Sequence, residues 1–119
     1  MKALGDDYEQ RACDWLAASG WRLLTRNYRC KPGEIDIIAL DGPTLVFVEV
    51  RSRQRGRYAS AAATVDKRKQ QRLLRAGEHF LQRHPQWRQN SCRFDVVTFE
   101  PPQSGAETKP RWIRSAFTA

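Results

Sequence analysis

The sequence predicts an α/β domain in which helices cover both faces of a mixed central sheet. Three observations predict it. Residues 34–51 hold two apolar, β-branched runs, Ile35–Leu40 and Leu45–Val50, joined by Asp41-Gly42-Pro43-Thr44, which reads as a β-hairpin. That hairpin is apolar on both faces near its turn, so it lies centrally with cover on each side. Segments with helical spacing of apolar residues precede and follow it and can supply that cover.

The first helix is expected over 5–19, with Asp6 as N-cap, Glu9 completing a D-x-x-E capping pattern, and Gly20 as the stop. Ala12, Trp15, Leu16 and Ser19 continue its face. Trp21–Arg26 reads as a first strand and Asn27–Gly33 as a basic connection. In the hairpin, Ile35, Ile37, Ala39, Val46, Val48 and Val50 form one apolar face; Ile38, Leu40, Leu45 and Phe47 lie opposite. Arg53–Ala63 reads as a loop beside the charged end. A long helix is expected over 66–83, with Leu73, Leu74, Gly77, Phe80 and Leu81 on its stripe and His84-Pro85 as its end. Arg93–Phe99 alternates as a strand, with Phe94, Val96 and Thr98 on one side and Asp95 capping an edge. Residues 101–110 read as a mobile loop, and Arg111–Arg114 as a short last strand. Trp15, Trp21, Phe80 and Cys13 are expected in the core; Trp87 and Trp112 are candidates for base stacking or a subunit contact.

The 119 residues are expected to form a single domain. No apolar run approaches a membrane span, and the N-terminus lacks the apolar core of a signal peptide. Cys13, Cys30 and Cys92 show no C-x-x-C spacing, which argues against a zinc knuckle or a disulfide framework and for a reducing, cytoplasmic setting. The net charge of +8 and pI near 10.0 point to a polyanionic partner, most simply nucleic acid. Nine basic residues and one acid, Asp66, lie between Arg51 and Arg75. Arg51, Arg53, Arg55 and Arg57 alternate, so an extended chain presents all four on one side.

Folding the hairpin about Gly42-Pro43 opposes residue 36 to 49 and 34 to 51. Directly opposed residues share a face, with Cβ atoms about 4.5–5.5 Å apart. Two carboxylates so placed repel each other unless a divalent cation sits between them. Asp36 and Glu49 are therefore candidate ligands for Mg²⁺ or Mn²⁺. Arg51 stands two residues beyond Glu49 on the same side, where a cation can stabilise the charge of a phosphoryl transition state. Glu34 reads as a supporting residue, a partner of Arg51 or of a neighbouring backbone group rather than a direct metal ligand. Glu9, inside a buried stripe, either serves the helix cap or joins the metal cluster. Lys69 and Gln70 open the long helix near the cleft, as phosphate contacts or water-orienting groups.

Gly33-Glu34-Ile35-Asp36, Val46-Phe47-Val48-Glu49-Val50-Arg51 and Arg93-Phe94-Asp95-Val96-Val97 resemble the bacterial YraN-like family of uncharacterised proteins. The likeness extends to Gly5, Glu9, Asn27, Arg29, Lys69 and Ala116-Phe117. That family looks like the PD-(D/E)XK nuclease superfamily, with archaeal-type Holliday junction resolvases among its relatives. The resemblance implies a restriction-endonuclease-like αβα core, a Mg²⁺-type site and a branched or structured nucleic-acid substrate. Carried over, the superfamily's metal-binding Asp falls on Asp36, its acidic D/E on Glu49, its basic Lys on Arg51, and the resolvase-like helix-one Glu on Glu9. Arg51 departs from the pattern, because an arginine does not give up its proton.

The leading expectation is a metal-dependent endonuclease on structured or branched DNA, with catalytic Asp36, Glu49 and Arg51 and metal ligands Glu9, Asp36 and Glu49. Arg29, Arg53, Arg55, Arg57, Lys67, Lys69 and Gln70 are its candidate nucleic-acid contacts. A homodimer would suit a two-fold symmetric substrate. The competing readings are a non-catalytic nucleic-acid-binding module on a nuclease fold and a basic protein-interaction adaptor.

Overall fold

The computed structural model describes residues 4–52, 65–99 and 110–117, with side chains from Asp7 onward. Helix α1 (Leu4–Ala18) leads into strands β1 (Arg22–Cys30), β2 (Gly33–Asp41) and β3 (Thr44–Ser52). Helix α2 (Lys67–Arg83), a 3₁₀ turn (Pro85–Trp87) and strands β4 (Cys92–Phe99) and β5 (Pro110–Phe117) follow. Among the described residues one five-stranded sheet has the spatial order β1-β2-β3-β4-β5. Its first three strands form an antiparallel meander, β4 lies parallel to β3, and β5 returns antiparallel. A parallel pair needs a crossover, and α2 lies within it. The sheet is therefore mixed, and helices flank it as expected.

The two faces of the sheet build two cores. Ile37, Ala39, Val46, Val48, Val97 and Phe99 bury against Ala12, Cys13 and Leu16 of α1. Ile38, Leu40, Leu45, Phe47 and Val96 bury against Leu73, Ala76 and Phe80 of α2. The hairpin turn follows its sequence signal: Asp41 pairs with Thr44, and Gly42 takes the positive φ of 59° that a tight two-residue loop requires. Neither helix is long and apolar enough to cross a membrane among the described residues.

Several local expectations are corrected. Helix α1 begins at Leu4, so Asp6 lies inside its first turn and is not its N-cap. Strand β1 runs to Cys30, through the segment read as a connection, leaving only Lys31-Pro32 as the turn before Gly33. β5 is longer than four residues and already includes Pro110. β4 is an interior strand, so Asp95 caps no edge. Ile35 joins the α2-side core, away from Ile37. β1 changes face at the same level. Arg26 bonds Gln10 of α1, whereas Tyr28 bonds His79 of α2. Between them Asn27 takes a left-handed φ of 52°, a conformation asparagine tolerates better than most residues. The paired partners on β2, Ile37 and Ile35, switch faces at the same level. Arg53, Arg55, Arg57 and positions 101–109 lie outside the described residues.

Candidate functional site

The β2–β3 pairing keeps the expected register from Asp41–Thr44 to Ile37–Val48 and stops there. At the next position the Asp36 side chain takes over from the backbone: its Oδ2 accepts the Val50 N–H at 2.8 Å. β3 continues past this point on β4, up to Ser52–Phe99. The end of β2 thus parts from β3 at the level where both carboxylates sit. Asp36 and Glu49 line the same cavity, so the two carboxyls are neighbours although no ladder pair holds them opposite.

The parting opens a cavity of about 170 Å³. Glu34, Asp36, Glu49 and Arg51 line it from the sheet, Tyr8 and Glu9 from α1, and Lys69 from α2. Glu49 is the buried centre, 3% exposed. Arg51 Nη2 stands 2.8 Å and Lys69 Nζ 3.4 Å from its Oε2. Lys69 is aimed there by the start of α2, where Asp66 caps the helix by accepting the Lys69 N–H at 2.9 Å. Burial pushes the Glu49 carboxyl up to about 8; the hydrogen bond and negative charge of Asp36 push the same way, and Arg51 and Lys69 pull against them. Desolvation outweighs both cations, so at neutral pH Glu49 holds a proton much of the time. Its two ion pairs tighten as that proton leaves.

The other expected residues are placed unevenly. Glu9 lines the cavity with Oε1 3.8 Å from Arg26 Nη2. Glu34 also lines it, but its ion-pair partner is Arg29 across β1–β2, at 3.5 Å, and Arg51 turns to Glu49 instead. Arg29 itself is 78% exposed. Lys67 is exposed and outside the cavity lining. Gln70 turns away from the cleft and donates to the Val65 carbonyl at 3.1 Å. Among the described residues no three acidic, histidine or cysteine side chains form a ready metal-ligand set.

Sequence reasoning missed a second polar centre, on the α1 side of β4. Asp95 is completely buried and accepts from Arg93 Nε (3.1 and 3.2 Å), Trp112 Nε1 (2.8 Å) and the Ser115 N–H (3.0 Å). Arg93 extends the network to Asp41 at 2.9 Å and lies over the Trp21 ring. Trp112 meets Trp15 and Trp21 edge-on, so its ring and its N–H serve the fold. The signal that points to it is Arg93-x-Asp95, two opposite charges on one side of a strand whose later residues are apolar.

Residues 8–99 match the profile of the family described as "Uncharacterised protein family UPF0102". A UPF0102 protein of Alcanivorax borkumensis is 47% identical over 116 residues, covering 98% of this chain and 92% of its own. One from Stutzerimonas stutzeri is 47% identical over 113 residues, covering 95% and 92%. One from Pseudomonas fluorescens is 45% identical over 113 residues, covering 95% and 91%. Matched across its helices and the first four strands, and to relatives over nearly its whole length, the chain belongs to the UPF0102 family.

Proposed function

We propose that this protein binds nucleic acid at the cleft between β2 and β3 and hydrolyses phosphodiester bonds there with Mg²⁺ or Mn²⁺, acting on structured or branched DNA. One observation carries the reading. Two neighbouring carboxyls and two cations line an open cavity at the end of an otherwise apolar pair of strands. Stability alone does not call for this, because a buried charge cluster contributes less than apolar residues of the same volume. The resemblance of the motifs around Asp36, Glu49 and Arg51 to PD-(D/E)XK nucleases supports the same reading.

The donor set suits a hard cation that keeps several waters and takes one or two carboxylates together with a substrate phosphate. Asp36 and Glu49 would hold it, with Glu9 and Glu34 as charged neighbours. Such an ion polarises a phosphoryl oxygen and acidifies a bound water. The chain's own residues prepare the rest. The Val50 N–H fixes the Asp36 carboxylate in direction. Arg51 spends Nη2 on Glu49, while its Nε is buried without an acceptor among the described residues. That donor suits a phosphate oxygen, which would repay its burial. Lys69 brings an ammonium to the same carboxylate, and of the two cation types an ammonium is the one able to exchange a proton with water.

The non-catalytic binding module is favoured by one feature, the direct Arg51–Glu49 contact at 2.8 Å, which occupies an oxygen a metal would need. Incubating purified protein with linear, flapped and four-way-junction substrates in Mg²⁺, Mn²⁺ or EDTA separates the readings. Cleavage that requires the divalent cation and is lost in both Asp36→Asn and Glu49→Gln is the expected result. Binding without cleavage, in wild type and in Arg51→Lys alike, would establish the binding module. No binding to any substrate at low salt would point to the protein adaptor.

A further inference from the structure

We propose that the flank of α2 facing the β1–β2 turn seats a DNA duplex arm, gripped along the phosphates of one strand and leading into the cleft; this rests on the nucleic-acid reading above. Arg68, Arg72, Arg75, His79 and Arg83 recur every three or four residues. At 100° per residue they fall within a sector of about 80° on the helix. The four arginines are exposed, and none forms an ion pair with an acid among the described residues. Glu78, the one acid in α2, lines the apolar groove beside Leu74 and Leu81, which Arg75 also borders at the edge of the stripe.

Two features of α2 make this stripe unfavourable in the free protein. Like charges three and four residues apart repel along a helix. The first turn carries Lys67, Arg68 and Lys69 and no acid, and at the positive end of the helix dipole only the capping Asp66 offsets their charge. An external polyanion relieves both.

The stripe is also built into a wider surface. Tyr28 of β1 bonds His79 at 2.5 Å. Gly33 lets the β1–β2 turn approach closely: a Cβ there would stand 3.4 Å from that of Arg72. Exposed Arg29 and Lys31 thereby border the stripe. At its other end Arg68 precedes Lys69, whose Nζ reaches Glu49.

The surface favours a duplex over a single strand because, among the described residues, it offers cations without an aromatic stacking platform. Single strands are held largely by bases stacked on aromatic rings. Tyr28, which borders this surface, packs edge-on against Phe80 with its hydroxyl engaged by His79. From Arg68 to Arg83 the helix rises about 22 Å at 1.5 Å per residue. At 3.4 Å per base pair that matches about seven base pairs of arm.

Fluorescence anisotropy in EDTA, with a labelled hairpin duplex and a single strand of equal length, tests this. Replacing Arg72, Arg75 and Arg83 together by Gln should make the duplex plot of log affinity against log salt shallower by about 2.7 units, roughly 0.9 per lost phosphate contact. Single-strand affinity should change less than about twofold, and the triple Arg→Lys protein should keep the wild-type slope. Thermal melting of each variant confirms that the fold is intact. An unchanged duplex slope, or equal losses on duplex and single strand, would overturn the duplex seat while leaving nucleic-acid binding at the cleft in place. A wild-type protein that binds neither probe at low salt would overturn both readings.

Discussion

Glu49 touches an arginine and a lysine, yet burial and Asp36 raise its carboxyl to about 8. In the unfolded chain the same group sits near 4.5. The folded state therefore holds a proton that the unfolded state has released. Its contribution to stability is complete below about 4.5 and is lost as pH rises through about 8. One proton limits the slope to about 1.4 kcal/mol per pH unit. Urea titrations between pH 5 and 8.5 should show this decline, and Glu49→Gln should flatten it. If the proposed ion binds here it must displace that proton, so its apparent affinity should climb by up to about tenfold per pH unit below 8. Titration calorimetry with Mn²⁺ in two buffers of different ionisation heat would register close to one proton released per ion. Zero protons released would place the ion elsewhere. The carboxylate pair was legible in the sequence because the Gly42-Pro43 turn sets a register that alternation carries as far as Ile37–Val48, one position short of the pair. Asp95 was not, because alternation says which face a residue is on and nothing of whether the strand is an edge or a centre.

At the scale of elements, β1 shows how a single backbone angle escapes periodicity. A strand read by alternation keeps Arg26 and Tyr28 on one face; the left-handed Asn27 sends one to each helix. Asparagine is common in turns, so its presence pointed to a connection, and the neighbouring strand that fixes it in place is distant in sequence. Helix α2 was more legible, since its buried residues Leu73, Ala76, Gly77 and Phe80 follow the 3.6 period directly. Gly77 then makes a test in which helix propensity and packing disagree. Alanine would favour the helix by about 1 kcal/mol. A Cβ at this position, however, would lie 2.9 Å from Phe94 Cζ and 3.4 Å from Phe47. Phe94 is stacked between Phe47 and Phe117 and has little room to retreat. Overpacking of this kind costs about 1–3 kcal/mol. Gly77→Ala should therefore lower the urea midpoint, by about 1 kcal/mol in stability once the helical gain is subtracted. A higher midpoint would show that the aromatic stack yields.

Across the whole molecule, cover on two faces could be foreseen because the hairpin is apolar on both sides. The strand order was less accessible, since nothing local tells β4 to lie parallel beside β3 rather than beside β1. That order has a consequence in time. Strand β3 gains its second neighbour only when Cys92–Phe99 has docked, more than forty residues later in the chain. Until then Leu45–Val50 is the open edge of a three-stranded meander, a surface that would recruit the same strand from another copy. Slow, non-local parallel pairing prolongs that interval. Glu49 is the one charge within this stretch, and before burial it is ionised at neutral pH. The acid that burial later neutralises would act first as a gatekeeper against misassembly. Refolding by dilution from urea at pH 7 should then scatter more light for Glu49→Gln than for wild type, and the difference should shrink at pH 4, where the Glu49 carboxyl of the unfolded chain is mostly protonated.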